Sequence, residues 1–254
     1  MARRRVDIVG CPVDPVSIRE VCDRIRTAVD TGRPLHVVTA NVDFVMRARR
    51  DDGFRRLLGG ADLVVADGVP LTWVAALQGE PLAGRVNGTQ LVWECARLSA
   101  EAGFLVGLLG AAPGVAEEAA AELRARHPGA RLAVIEAPSP LDLEDPRLSA
   151  DVGKRAVDVL LVALGAPKQE RWLSRWLRAS GADVGIGIGG ALDLVSGRKP
   201  RAPRWMQHVG LEWLHRLLTE PRRLSRRYLV EDVPFVWLAI VSVLRKRFRS
   251  IRSR

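Results

Sequence analysis

The sequence predicts an α/β protein with a mainly parallel sheet and helices on both faces. Three observations support this. Short apolar segments alternate with helical patterns along most of the chain, and this rhythm is typical of parallel βαβ units. Several of these segments are apolar on both faces, as strands buried between two helix layers must be. The rhythm ends near residue 196, and the patterns that follow are helical and rich in Arg and Trp.

The strand candidates are seven short segments rich in Val, Leu and Ile. Helical patterns separate them. The pattern over 17–30 has Ser17 as its N-cap and Glu20 as the acid of a capping box. The pattern over 114–129 combines strong helix formers with a Pro-Gly stop. These elements predict a Rossmann-like catalytic domain over residues 1–195. The strand candidates span 6–10, 35–40, 62–66, 104–110, 131–137, 157–165 and 183–189.

Residues 196–254 are predicted to form a helical, Arg-rich appendage. This segment carries 15 Lys and Arg against 4 Asp and Glu, whereas residues 1–195 hold 24 basic and 25 acidic residues. Such a concentrated basic charge attracts a nucleic acid, an anionic membrane or a phosphorylated ligand. The apolar run 234–244 is shorter than the roughly 20 residues of a spanning helix. It is instead suited to lying on a membrane surface.

The cysteines and the N-terminus bear on the compartment. Cys11, Cys22 and Cys95 are widely spaced and form no CxxC pair, which argues against a disulfide framework and fits a reducing cytoplasm. The first apolar run is too short for a signal peptide. We therefore expect a cytoplasmic protein that is peripherally associated with the inner face of the cell membrane. A homo-oligomer is left open.

Polar residues follow several strand candidates at their carboxyl ends, where open α/β sheets bind ligands. Asp67 is the candidate general base, because a carboxylate flanked by VVA and GVP is partly desolvated and gains affinity for a proton. The alternative is that Asp67 caps the helix that begins near Val69. The polar residues in these positions are Thr39, Asn41, Asp67, Gln169 and Asp193.

A metal site is not predicted. The four histidines have no ligand spacing with the cysteines or with each other. No Asp-x-Asp occurs, so the usual carboxylate pair for nucleotide-bound Mg²⁺ or Mn²⁺ is missing. The charge of a leaving diphosphate would then be balanced by Arg, Lys or helix termini.

Six stretches between about residue 35 and residue 228 are long or unusual. They are VVTANVDFVMRARRD, ADLVVADGVPL, GRVNG, LVALGAPKQERW, GIGIGGALDLVSGRKPRAPRW and GLEWLHRLLTEPRRLSRRY. Through them the chain resembles the WecG/TagA/CpsF family of glycosyltransferases (glycosyltransferase family 26). The resemblance implies an inverting transfer, without metal or other cofactor, from a UDP-sugar of N-acetylmannosamine type. The implied acceptor is a polyprenyl-diphosphate-linked sugar in cell-surface polysaccharide or teichoic-acid synthesis.

The resemblance also implies roles for individual residues. The base aspartate falls on Asp67 and the nucleotide-side aspartate on Asp193. One position departs from the family pattern. Family members commonly have Gly-x-Asp-Leu at residues 88–91, and Gln90 replaces the Asp in this chain. The resemblance therefore defines the sugar less well than the reaction. The implied polar active-site positions are Thr39, Asn41, Arg85 and Gln169, and the arginines implied to reach the acceptor diphosphate are Arg216, Arg223 and Arg226.

Two other classes of function compete with a glycosyltransferase. A basic nucleic-acid-binding α/β protein would explain the pI near 10.7. However, the sequence contains no recognisable nucleic-acid module, and the run 234–244 suits lipid better than a phosphate backbone. A nucleotide-dependent oxidoreductase is suggested only by the glycines of 185–193, which lie too late in the chain for a dinucleotide loop. We therefore expect no nucleic-acid partner.

Overall fold

The computed structural model describes residues 4–203, 205–206, 211–226 and 231–252, and within these it leaves out the side chains of residues 216, 223, 226 and 247–252. The predicted α/β class is confirmed. Six parallel strands form one sheet in the order β4-β3-β8-β7-β5-β6, and two further strands form a separate hairpin. The strands are β1 (Val6–Ile8), β2 (Cys11–Val13), β3 (Leu35–Ala40), β4 (Leu63–Ala66), β5 (Leu105–Gly110), β6 (Arg131–Ile135), β7 (Val159–Ala163) and β8 (Val184–Gly187).

Helices connect these strands and continue after the last of them. The predicted capping box of the first helix is confirmed, with the Ser17 backbone N–H donating to Glu20 Oε2 at 2.7 Å. The helices described are α1 (Ile18–Thr31), α2 (Val42–Arg50), α3 (Asp52–Gly60), α4 (Val69–Leu77), α5 (Gly88–Ala102), α6 (Val115–Arg126), α7 (Arg147–Lys154), α8 (Lys168–Trp176), α9 (Ala191–Val195), α10 (Glu212–Thr219), α11 (Pro221–Arg226) and α12 (Pro234–Arg252).

The first strand candidate, 6–10, does not join the parallel sheet. It forms an antiparallel hairpin, β1 with β2, because Val9 and Gly10 both adopt positive φ and turn the chain back. The Asp7 carboxylate accepts the Gly10 backbone N–H at 2.7 Å and fixes this turn. The Asp14 backbone N–H then donates to the Val64 carbonyl at 2.8 Å, which places the hairpin along β4, the edge strand of the sheet.

The sheet is buried on both faces, as its sequence pattern predicts. Successive residues of β3, Val37 and Val38, face two different core clusters on opposite sides of the sheet. The first cluster lies under α1, α5, α6 and α9. The opposite face is covered by α2, α3, α4, α7 and α8 together with the hairpin. The apolar stripe of α8 lies there, with Trp172 and Leu173 fully buried.

The connections leave a crevice at the carboxyl ends of two inner strands, a side of the sheet that we call its carboxyl edge. β3 and β8 are parallel neighbours, but the chain leaves them in opposite directions. After β3 it enters α2 on one face, and after β8 it enters α9 on the other. Helices that diverge in this way open a space beyond the carboxyl ends of the two strands, and this is the usual ligand position in open α/β sheets.

The C-terminal helix α12 packs on the body of the protein with one side and exposes the other. Phe235 and Ala239 are buried in the same core cluster as α2 and α4. Ser242 accepts a hydrogen bond from Gln78 at 2.9 Å. The outer side exposes Val236, Trp237, Ile240 and Leu244. In the part of the chain that the structure describes, no helix meets the length and apolarity required of a membrane span.

Candidate active site

Asp67 lies directly after β4, at the carboxyl edge of the sheet. Its backbone N–H donates to the Ala40 carbonyl at 2.8 Å, which continues the β3–β4 pairing by one step. Its side chain is 29% exposed, so the carboxylate is partly desolvated yet open to a ligand. The helix-cap alternative is wrong, because Gly68 is the N-cap of α4 and no side chain caps that helix.

Asn41 lies beside this aspartate at the end of β3. It is the N-cap of α2, and its Oδ1 accepts the Asp43 backbone N–H at 3.1 Å. Gly68 packs closely against it, since a Cβ atom at position 68 would lie 3.5 Å from the Asn41 Cβ. The Asn41 side chain is half-buried. The Asn41 Oδ1 therefore caps the helix, and the residue lies in register with Asp67 at the ends of β3 and β4.

Arg85 joins the same edge from the segment before α5. The Val86 backbone N–H donates to the Ala66 carbonyl at 2.9 Å, which aligns this segment with the end of β4. The Arg85 Nε donates to the backbone carbonyl of Asp67, and its Nη2 lies 3.7 Å from Asp67 Oδ1. The guanidinium is therefore held against the candidate base by a contact that does not use the carboxylate.

Thr39 lies deeper than these residues. Its hydroxyl donates to the Gly187 carbonyl at 2.7 Å and so joins the ends of β3 and β8. The residue is 5% exposed. The sequence predicts Thr39 as a polar active-site position, and the structure places it beneath the crevice with its hydroxyl bonded to the backbone.

Gln169 is also buried below the crevice. Its Oε1 accepts the Gly189 backbone N–H at 3.0 Å, and its Nε2 donates to Glu170 Oε1 at 2.6 Å. A Cβ atom at Gly187 would lie 2.6 Å from the Gln169 Nε2, so only glycine lets β8 pass this pair. Gln169 therefore supports the loop that follows β8, and at 2% exposure its side chain is covered.

Glu170 is an acid that the sequence reading missed. It is 1% exposed, and burial raises the pKa of its carboxyl to about 7, against the lowering effects of its Gln169 hydrogen bond and of Arg47. Among the described residues, its Oε2 has no hydrogen-bond partner. No sequence pattern marks Glu170, because a Glu in the first turn of a helix is ordinarily a solvated, dipole-favoured residue.

Asp193 lies in the first turn of α9, after β8, with its side chain 22% exposed. Lys199 Nζ lies 3.5 Å from Asp193 Oδ1 and 3.2 Å from Glu220 Oε1. This lysine, which sequence reading also missed, links the predicted nucleotide-side aspartate to the C-terminal segment. α5 begins close by, since a Cβ atom at Gly88 would lie 2.9 Å from the Ile188 carbonyl oxygen.

The C-terminal segment reaches the site at a second point. Glu212, the first residue of α10, accepts a hydrogen bond from Arg85 Nη2 at 2.6 Å. Three arginines are predicted to contact the acceptor diphosphate. The backbone of Arg216 belongs to α10, and the backbones of Arg223 and Arg226 belong to α11. Their side chains lie outside the described part of the structure.

The structure therefore brings most of the predicted residues to one edge but sorts them by depth. Near the surface, Asn41, Asp67 and Arg85 surround the end of β4, and Asp193 lies beyond β8. Thr39 and Gln169 form the layer below. Gln90, the departure from the family pattern, is half-buried in the first turn of α5, where its backbone N–H is capped by Asn87 at 2.8 Å. Over the described ranges, no group of three or more His, Cys, Asp or Glu side chains could hold a metal ion.

The chain is similar to known proteins over almost its whole length. The model of the glycosyl transferase WecG/TagA/CpsF family matches residues 6–249. Among curated proteins, the chain is 30% identical over 244 residues to a protein of Staphylococcus aureus strain NCTC 8325 / PS 47, covering 95% of this chain and 94% of the relative. The matches in strains COL and MRSA252 have the same identity and coverage. All three relatives are described as N-acetylglucosaminyldiphosphoundecaprenol N-acetyl-beta-D-mannosaminyltransferase.

Proposed function

The chain belongs to the WecG/TagA/CpsF family of glycosyl transferases, and we propose that it transfers an N-acetylmannosamine-type sugar from a UDP-sugar to N-acetylglucosamine linked to a polyprenyl diphosphate. The relatives named above act on such an acceptor and cover the same length of chain. The observation that carries the proposal is the pairing of Asp67 with Arg85 at the carboxyl edge of the sheet. A base and a cation side by side are what transfer to a hydroxyl with loss of a diphosphate requires.

The proposed reaction assigns one task to each of these groups. The Asp67 carboxylate accepts the proton of an acceptor hydroxyl as its oxygen bonds to the anomeric carbon of the donor. The bond from that carbon to UDP breaks on the opposite side, and the anomeric configuration inverts. Arg85, whose Nε is bonded to the backbone of Asp67, is proposed to offset with its guanidinium charge the charge that develops on the departing diphosphate. Asn41 is a neutral hydrogen-bonding side chain at the same edge and would orient the sugar.

The transfer is proposed to need no metal ion. Support comes from the sequence, which has no Asp-x-Asp pair for a nucleotide-bound cation. Support also comes from the cations beside the edge, since Arg85 and Lys199 already lie against Asp67 and Asp193. An arginine fork can replace a divalent ion at a diphosphate, because its N–H groups match the phosphate oxygens.

The acceptor implies a membrane, and α12 is proposed to bind its surface. Trp237 is 68% exposed, and Val236, Ile240 and Leu244 also project from the outer side of the helix. Arg245 follows this apolar side at once, and Arg247 and Arg249 come next in the sequence, whereas Lys246 is paired with Glu80. An apolar face beside basic residues provides two signals for binding an anionic bilayer. Arg216, Arg223 and Arg226 remain the proposed contacts for the acceptor diphosphate.

The central test is a panel of UDP-sugars offered to the full-length protein with a polyprenyl-diphosphate-N-acetylglucosamine analogue. UDP release and product formation are measured with and without EDTA. We expect turnover with UDP-N-acetylmannosamine to exceed that with the other UDP-sugars, and EDTA to leave it largely intact. A preference for another sugar would replace the donor assignment, and an absolute need for Mg²⁺ or Mn²⁺ would refute the metal-free mechanism.

Membrane binding is tested with one exposed side chain. Trp237→Glu places a charge in the apolar face of α12, whereas Trp237→Leu keeps the face apolar. We expect the Glu variant to lose most of its sedimentation with phosphatidylglycerol-containing vesicles and the Leu variant to keep it. Both variants should melt like the wild type, because the side chain is exposed. Equal sedimentation of the two variants would mean that α12 is not the binding face.

A further inference from the structure

The C-terminal segment is strongly basic, yet one of its four acids is aimed at the candidate active site. Glu212 Oε2 lies 2.6 Å from Arg85 Nη2, and both side chains are largely buried, 17% and 23% exposed. A charge-assisted contact of this length is strong and directional. Glu220, eight residues later, pairs instead with Lys199. Glu212 contacts the arginine that lies against Asp67, whereas a solvated surface carboxylate would make no such contact.

The three nitrogens of the Arg85 guanidinium differ in their contacts. Nε is bonded to the backbone carbonyl of Asp67, and Nη2 is bonded to Glu212. For Nη1, no partner is recorded among the described residues. The Asp67 carboxylate is the next anion within reach, with Oδ1 at 3.7 Å from Nη2. Glu212 therefore occupies the donor that lies closest to the candidate base.

We propose that Glu212 is a positioning residue for the transfer, and that it keeps the Nη2 group of Arg85 just beyond hydrogen-bond distance of the Asp67 carboxylate. Asp67 is then able to accept the proton of the acceptor hydroxyl, while Nη1 faces the substrate. The inference rests on the proposed function, because it concerns the base and the cation assigned there. It adds a group from the C-terminal segment that no family motif given above assigns.

Two electrostatic effects give the inference a definite sign. Removing the Glu212 charge takes a like charge from the neighbourhood of Asp67, and it also frees Nη2 to approach Asp67 Oδ1. Both changes favour the ionised carboxylate and so weaken Asp67 as a base. Arg85, from the segment before α5, lies beside Asp67, and Glu212 of α10 acts on Asp67 through Arg85.

The experiment compares Glu212→Gln, which keeps the shape, with Glu212→Asp, which keeps the charge. With saturating UDP-sugar and acceptor, we expect kcat of the Gln variant to fall about tenfold. The acidic limb of its pH–rate profile should move to lower pH, because the base is held in its ionised form by the closer arginine. The Asp variant should retain most of kcat and the wild-type limb. UDP binding, measured by calorimetry, should persist in both.

Glu220→Gln is the matched control, because it removes an acid from the same C-terminal segment, just after α10, and Glu220 pairs with Lys199 and not with Arg85. It should leave kcat and the pH–rate profile within about twofold of the wild type. An unchanged profile in Glu212→Gln would overturn the inference. So would an equal loss in Glu220→Gln, or the loss of UDP binding in Glu212→Gln, because either result would mean that Glu212 merely fastens α10. Failure of the wild type to use any UDP-sugar would instead refute the proposed function.

Discussion

The polar residues at the carboxyl edge of the sheet form two layers with opposite properties. In the upper layer, Asp67 and Arg85 are partly exposed, and Arg85 is bonded to the backbone of Asp67. In the lower layer, Thr39, Gln169 and Glu170 are 5% exposed or less. The hydrogen bonds of the lower layer run to the backbone of β8, to the loop after it and between Gln169 and Glu170. The upper layer offers polar atoms to a ligand, and the lower layer holds the strand ends in place.

This difference shows why position along a strand does not by itself identify catalytic residues. Thr39 and Asn41 are two residues apart, but one points into the sheet and the other caps a helix at its rim. Most buried polar groups are hydrogen-bonded within the protein, and a group that is already bonded has little capacity left for a substrate. We therefore expect substitutions in the upper layer to affect turnover and substitutions in the lower layer to affect stability.

The largest expected effect is that of Asp67→Asn on turnover. The amide keeps the shape of the side chain but cannot accept the acceptor proton, so kcat should fall by about 10²–10⁴-fold. The measurement is UDP release at saturating substrates. UDP affinity and the melting temperature serve as controls and should stay close to those of the wild type, because the side chain is 29% exposed. Turnover near the wild-type value would remove Asp67 from the mechanism.

Glu170 should make stability depend on pH. Its carboxyl has an ordinary pKa of 4.5 when unfolded, and burial raises that pKa to about 7 in the folded protein. Between these values the folded state holds a proton that the unfolded state has released, so the free energy of unfolding falls as pH rises. Glu170→Gln should reduce that fall by up to about 3 kcal/mol, because one pKa unit corresponds to about 1.4 kcal/mol.

Denaturant unfolding at pH 5 and pH 7.5 measures this difference. Glu122→Gln, which neutralises an exposed carboxyl on α6, is the matched control and should leave the pH dependence unchanged. If the wild type and Glu170→Gln lose the same stability between the two pH values, the buried acid is not protonated as its surroundings require.

The next effect is steric. Gly187→Ala would place a Cβ atom 2.6 Å from Gln169 Nε2 and 2.7 Å from Glu170 Oε1. Both neighbours are buried and cannot move aside, so overpacking should cost about 2 kcal/mol. Gly60→Ala is the control, because nothing lies within 4 Å of its added Cβ atom. Thermal melts that rank the two variants equally would show that the lower layer is more yielding than its contacts indicate.

The periodicity of the chain predicts most of the fold. Six of the seven strand candidates lie in the sheet, because runs buried on both faces have few alternatives once helices alternate with them. The exception, 6–10, contains the same apolar residues but is turned back by the positive φ values of Val9 and Gly10. Positive φ is unfavourable for a β-branched residue such as valine, so the local sequence gives no sign that Val9 adopts it. The hairpin therefore could not be predicted from propensity.

The site was predictable in outline, because carboxyl ends of parallel strands meet at one edge. The burial of each side chain in the site was not predictable, since burial depends on neighbours that are far away in the chain. Glu170 becomes a buried acid only because Gly187 of β8 lies against it. Glu212 comes close to Arg85 across 127 residues. Its one local sign was a negative charge within a basic segment, and that sign does not reveal the partner.

The smallest expected effect is also the one that separates the two layers most directly. Thr39→Val keeps the shape of the side chain and removes the hydroxyl that donates to the Gly187 carbonyl. Loss of a buried neutral hydrogen bond should lower the free energy of unfolding by about 1 kcal/mol. Since the hydroxyl is already bonded to the backbone, KM for the UDP-sugar and kcat should each change by less than about threefold.

Thr39→Ser sharpens this test, because it keeps the hydroxyl and loses the buried methyl group instead. If the lower layer only supports the strand ends, both variants should lose stability and both should retain turnover. If Thr39 instead contacts the sugar, the Val variant should lose tenfold or more in kcat/KM, the amount expected for a hydrogen bond left unmade to a bound substrate. The Ser variant would then stay active. That pattern would move Thr39 into the upper layer and show that the crevice opens more deeply between β3 and β8 when the substrate binds.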